Sequence, residues 1–137
     1  MPIQLHHVSI TCRDLEKCRK FYQAIGFKES RFYEDNETTI VLMGSNNTYI
    51  ELFSFLGGKY KGQTIETPLN IPSIQEQGLT HLALKVDDLT GIRETLLPHY
   101  KCTEIKQARL GQFSYFFTLD PECNQIEFIQ EQDTQCY

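Results

Sequence analysis

Apolar and polar positions along the chain alternate in short runs, and each run is followed by a recognisable break. From His7 to Cys12 the residues Val8, Ile10 and Cys12 interleave with His7, Ser9 and Thr11, the two-residue period of a half-buried β-strand. Leu15, Cys18, Tyr22 and Ile25 then recur at helical spacing. Asp14 is placed to cap the first turn, and Gly26 sits where a left-handed C-cap belongs. Three shorter strand-like runs follow over 28–33, 38–43 and 48–55, the last two joined by a Gly-Ser-Asn-Asn turn. The spacing predicts the order β-α-β-β-β.

The same order returns further along. HVSITCRDL, starting at His7, is matched by HLALKVDDL, starting at His81, with His, Asp and Leu at identical spacing, an offset of 74. TTIVLMGSNNTYIELF, ending at Phe53, is matched by YFFTLDPECNQIEFI, ending at Ile129, which lays Glu51 over Glu127 at an offset of 76. A drift of two residues between the offsets is what differing loop lengths produce. The second copy reads as a strand over 81–86 and a helix capped by Asp88, with Leu89, Ile92 and Leu96 as its apolar stripe and Pro98 as its stop. Its clearest later strands are 113–119 and 125–130, around the DPECN turn. The expected fold class is α+β, two βαβββ modules (1–56 and 79–137) in one domain spanning 1–137. The polar connection 57–78, with Lys59, Lys61, Pro68 and Pro72, reads either as a tether or as a lid over a substrate.

Composition narrows the class. At 137 residues the chain is one ordinary domain, and 40% hydrophobic with 23% charged residues is the balance of a globular protein. Its longest apolar runs, such as Ile40–Met43, fall far short of a bilayer span, and the opening MPIQLHH has no signal-peptide character, so a cytoplasmic protein is expected. A net charge of −5 with dispersed basic residues argues against nucleic acid as a partner. The five cysteines are odd in number and form no CxxC pair, which suits reduced thiols better than a disulfide framework or a thiolate zinc site.

Strand alternation places the chemistry. If Val8, Ile10 and Cys12 face the helix, His7, Ser9 and Thr11 face away from it, and Tyr49, Glu51 and Phe53 take the same side of the later strand. In the second module His81, Ala83 and Lys85 share that side with Gln125, Glu127 and Ile129. A carboxylate among apolar strand neighbours is costly unless a cation or a donor meets it. One His and one Glu per module, at matched positions, therefore predict one divalent ion held by His7, Glu51, His81 and Glu127. The nitrogen and oxygen donors suit Ni, Co, Zn, Mn or Fe better than Ca or Mg. His6 is expected on the opposite face and His99 at a helix end, both structural or exposed.

The segments HHVSITCRDLEKCRKFYQAIGF, IELF, GLTHLALKVDDL and DPECNQIEFIQ resemble the glyoxalase, bleomycin-resistance and extradiol-dioxygenase (vicinal oxygen chelate) superfamily, over almost the whole chain. The resemblance implies a half-open mixed β-barrel cup with the helices outside, a bound metal and a homodimer; open sheet edges also favour pairing. The His, Glu, His, Glu set is similar to that of glyoxalase I, a lyase that isomerises the hemithioacetal of a 2-oxoaldehyde and a thiol. By that likeness the ion would hold vicinal oxygens of a small substrate, Glu127 would shuttle the proton next to the carbonyl, and Glu51 would be its counterpart. Thr11, Tyr49, Phe53 and Lys85, on the open side, are expected to line the substrate, and Arg13 to meet a substrate carboxylate. Alternatives within the superfamily are an acyl-CoA epimerase, which tends to carry Gln for one carboxylate, and a ring-cleaving dioxygenase with two His and one carboxylate on iron. A different class is a non-catalytic binder of a small ligand or antibiotic, lined by Tyr49, Phe53, Tyr115, Phe116 and Phe117. Metal content separates that binder from the enzymes.

Overall fold

The structure, a computed structural model, describes residues 1–60 and 77–132. The chain divides into two compact units, Met1–Gln63 and Thr64–Tyr137, and each is an α+β module of its own. The connection expected over 57–78 lies outside the described residues from 61 to 76, as does Cys136.

In the first module β1 (His7–Thr11) leads into α1 (Leu15–Ala24), followed by β2 (Lys28–Glu34), β3 (Thr38–Ser45) and β4 (Thr48–Phe55). The sheet order is β1-β4-β3-β2, with β1 parallel to β4 and the other pairs antiparallel. Helix α1 starts where the carboxylate of Asp14 accepts the backbone N–H of Lys17 at 3.1 Å. It ends at Gly26, whose φ of +110° closes the helix with a bond from Gly26 N–H to the Gln23 carbonyl. The β3–β4 hairpin turns on Asn46 and Asn47, with φ of 46° and 63°. A two-residue loop of this hand needs positive φ at both central positions, and Asn tolerates them better than other side chains.

The second module repeats the plan with β5 (Leu82–Lys85), α2 (Leu89–Leu96), β6 (Lys106–Gln107), β7 (Phe113–Leu119) and β8 (Gln125–Glu131). Its order, β5-β8-β7-β6, again sets the first strand parallel to the last. Asp88 caps α2 by accepting the Gly91 N–H at 3.0 Å, and the Gln130 side chain accepts the Leu89 N–H from β8. Strand β6 is only two residues long, too short to leave a periodic signal in sequence. The DPECN turn is built on Asp120, 3% exposed. Its Oδ1 accepts the N–H groups of Glu122 and Asn124 at 2.9 and 2.8 Å, and its Oδ2 accepts the Asn124 side-chain amide.

The core of each module lies between its sheet and its helix. In the first, α1 packs on β4 and buries Cys18, Phe21 and Tyr22 with Ile10, Cys12, Ile50 and Leu52. In the second, α2 packs on β7 and β8 and buries Leu89 and Leu96 with Leu84, Phe116, Ile126 and Phe128. Full burial of such side chains contributes roughly 1.5–3 kcal/mol each, which fixes which strand face turns inward. A slip of one residue would bring His7 and Glu51 into that core.

Candidate functional site

Register decides what stands beside each histidine. In β1 and β4 the paired positions are His7 with Tyr49 and Ser9 with Glu51. His7, first residue of its strand, reaches diagonally so that its Nε2 lies 3.4 Å from Oε1 of Glu51. In the second module Ala83 pairs with Glu127, and His81, just ahead of β5, sets its Nε2 at 3.4 Å from Oε1 of Glu127. The ladders continue alike beyond both pairs: Cys12 N–H bonds to the Phe53 carbonyl at 2.7 Å and Val86 N–H to the Ile129 carbonyl at 2.8 Å. Each module thus brings together its own predicted His and Glu, in the same geometry.

What surrounds the two pairs differs. Ser9 donates its hydroxyl to Oε1 of Glu51 at 2.7 Å, whereas the matching position beside Glu127 is Ala83. Glu127 is the more enclosed carboxylate, its side chain 14% exposed against 24% for Glu51. Burial pushes the Glu127 carboxyl above its ordinary range, and the neighbouring His81 partly counters the rise. The ring of Phe117, paired with Glu127 across β7 and β8, meets His81 edge-on at 5.1 Å.

The far nitrogen of each histidine is also engaged. Nδ1 of His7 lies 2.7 Å from Nδ1 of His6, and Nδ1 of His81 lies 2.6 Å from the Thr80 hydroxyl. The expectation that His6 points away is corrected here. His6 is exposed, but it precedes β1, so strand alternation does not govern it. Its ring stacks on Tyr49, with centroids 5.2 Å apart and planes within 16°, and touches His7 edge-on. Ser9, His6 and Thr80 are the site residues that sequence reasoning missed. Ser9 was detectable, being two positions from His7 on the same strand face.

The residues expected to line a substrate are placed as follows. Thr11 is exposed and opposite Phe53, which stacks on Phe55. Tyr49 lies under His6 and over Gly44, where an added Cβ would stand 2.8 Å from Tyr49 Cε1. Lys85 pairs with Glu131 at 3.0 Å, and the Arg13 guanidinium lies 5.5 Å over the Tyr60 ring. Phe116 is wholly buried and stacked on Phe128, so it belongs to the core and not to any lining; alternation along β7 turns it to the helix side while Tyr115 and Phe117 face the other way.

The spacing of each His–Glu pair fits two ligands of a single first-row divalent ion. Bond lengths of about 2.0–2.2 Å to imidazole nitrogen and carboxylate oxygen separate two such ligands by about 3.4 Å at a tetrahedral angle and about 3.0 Å at a right angle. The 3.4 Å of both pairs lies in that range. Among the described residues, neither module gathers three His, Cys, Asp or Glu side chains into a group that could hold a metal ion.

The Glyoxalase/Bleomycin resistance protein/Dioxygenase superfamily model matches residues 6–117, which include both histidines and Glu51. The chain belongs to this superfamily. As a member, it is 29% identical over 136 residues to an uncharacterised protein of Bacillus subtilis, YwkD, covering 93% of this chain and 96% of that one. A glyoxalase family protein from Bacillus cereus shares its fold with a TM-score of 0.77 at 17% identity, over 97% of each chain. The trypanothione-dependent glyoxalase I of Leishmania major does so with a TM-score of 0.67 at 21% identity, over 95% of this chain and 88% of that one. Among the described residues no helix is long and apolar enough to cross a membrane.

Proposed function

We propose that this superfamily member is a metal-dependent lyase or isomerase of the glyoxalase I type, moving a proton next to a carbonyl on a small substrate with vicinal oxygens. One observation carries the reading: the same His and Glu, at the same 3.4 Å, recur at matched positions of both modules. A repeat conserves such a pair most simply when both copies serve one purpose. His7, Glu51, His81 and Glu127 would hold one ion of Ni, Co, Zn, Mn or Fe, within one chain or across a homodimer.

The ion, when bound, supplies Lewis acidity that makes the C–H beside a carbonyl easier to ionise. The protein's own groups do the rest. Glu127 is suited to take and return the proton, because burial has already raised its affinity for one and Ala83 stands where Ser9 stands beside Glu51. Glu51, tied by Ser9, suits a fixed role as its counterpart. Thr11, Tyr49, Phe53, Lys85 and Arg13 remain the residues proposed to meet the substrate.

Metal analysis of the purified full chain, joined to a hemithioacetal isomerisation assay, tests this. Stoichiometric metal, turnover in the wild type and a fall of about 100-fold or more in kcat for Glu127→Gln are expected, the scale of general-base catalysis. A chain that binds none of the five metals, or that turns over equally well as Glu127→Gln, would overturn it.

A further inference from the structure

A neutral imidazole carries one ring proton, and only the nitrogen without it can donate a lone pair to a metal. In both modules the nitrogen facing the glutamate is Nε2, so a metal-holding form of His7 or His81 needs its proton on Nδ1. Left alone, the carboxylate opposite Nε2 favours the other form, because it attracts a proton to that nitrogen. Something must accept the Nδ1 hydrogen to tip the balance.

We propose that His6 and Thr80 are positioning residues, each accepting the Nδ1–H of the histidine that follows it and thereby leaving Nε2 free to bind the metal. The inference rests on the metal-holding function proposed above. The two acceptors stand at one offset, 6 and 80 before 7 and 81, and reach Nδ1 at 2.7 and 2.6 Å, yet their chemistry differs. A threonine oxygen accepts once its own hydrogen is turned away from the ring. His6 accepts at Nδ1 only with its own proton on Nε2, and its ring is held in place by the stack on Tyr49, whose ring lies against Gly44. Acceptors of this kind fix ring orientation and raise ligand basicity, and their loss typically weakens metal binding by about 10–100-fold.

The full chain is titrated with Zn²⁺ by calorimetry, and the histidine ring nitrogens are followed by ¹⁵N NMR with and without zinc. Thr80→Val removes the acceptor at nearly constant shape and Thr80→Ser keeps it. His6→Phe keeps a ring on Tyr49 without the acceptor, and His6→Asn places an amide oxygen near the Nδ1 position. Thr80→Val and His6→Phe are expected to weaken zinc binding by about 10–100-fold, each shifting the Nδ1–H signal of its own neighbour only, while the Ser and Asn variants return to near the wild-type value. Unchanged affinity and unchanged Nδ1–H signals in Thr80→Val and His6→Phe overturn the proposal. Should the wild type take up no zinc, the proposed function falls, and the metal-free spectra still decide this point: Thr80→Val must move His81 alone, and His6→Phe His7 alone, toward the Nε2–H form.

Discussion

The hydroxyl of Ser9 binds the carboxylate of Glu51 at 2.7 Å, and the residue that stands in its place beside Glu127 is an alanine. This difference helps to give the two carboxylates different freedom. Ser9→Ala should lower stability by about 1 kcal/mol, the scale of one partly exposed hydrogen bond, read as a shift of the urea midpoint. Ala83→Ser should do the converse at Glu127, donating to the ionised carboxylate and drawing its pKa back toward the ordinary range. A ¹³C-carboxyl titration reads that shift, and an unmoved Glu127 would refute the equivalence of positions 9 and 83.

Glu127 also makes a prediction for pH. Its folded carboxyl is raised above the unfolded value of about 4.3, so the folded state holds the extra proton between the two values. The stability that Glu127 contributes in the metal-free chain is therefore fully present below the unfolded pKa and is lost as pH rises through the folded one. Glu127→Gln should lack this decline and overtake the wild type above that window. Urea midpoints collected across the acid-to-neutral range check it. Equal pH slopes in the two proteins would contradict the assigned cause.

Asp35 works with the opposite sign. The N–H of Glu37, the Tyr33 hydroxyl and the N–H of Thr38 all favour its ionised form, so its folded pKa lies below the usual one. The stability it adds is present above the unfolded pKa and is lost as pH falls through the lower folded value. In Asp35→Ala the acid limb of the stability curve should be shallower, with little change in shape near neutrality.

Gly44 lies outside the left-handed region, and the atoms that crowd the place of its missing Cβ belong to the Tyr49 ring, with Ser30 Cβ at an ordinary 3.8 Å. Gly44→Ala should change stability by less than about 1 kcal/mol, because a smaller unfolded-state entropy offsets a displaced ring. It should nevertheless separate Tyr49 from His6. The ring-current shift on the His6 protons reports the stack directly, and its persistence in the variant would show that the glycine is not what lets Tyr49 stack on His6.

Much of this was legible in the sequence because strand alternation is rigid. Once Val8 and Ile10 are assigned to the core, His7 and Ser9 have nowhere else to point, and the same holds for Glu51 between Ile50 and Leu52. The repeat then carried both conclusions to His81 and Glu127. What stayed hidden lies where alternation stops. His6 and Thr80 precede their strands, so their directions follow from side-chain contacts and not from a period. Strand β6 escaped because two residues have no pattern. Asp120 reads as an ordinary turn former, and only its burial under three hydrogen bonds shows how much of the β7–β8 hairpin depends on it.

In both modules the strand made first lies alongside the strand made last. On the ribosome, β1 must wait without its neighbour until Phe55 has left the exit tunnel, and β5 must wait until Glu131 has. Neither histidine meets its glutamate by local zippering. Each encounter demands closure of a loop more than forty residues long, so the chemistry of either half is among the last things its folding completes.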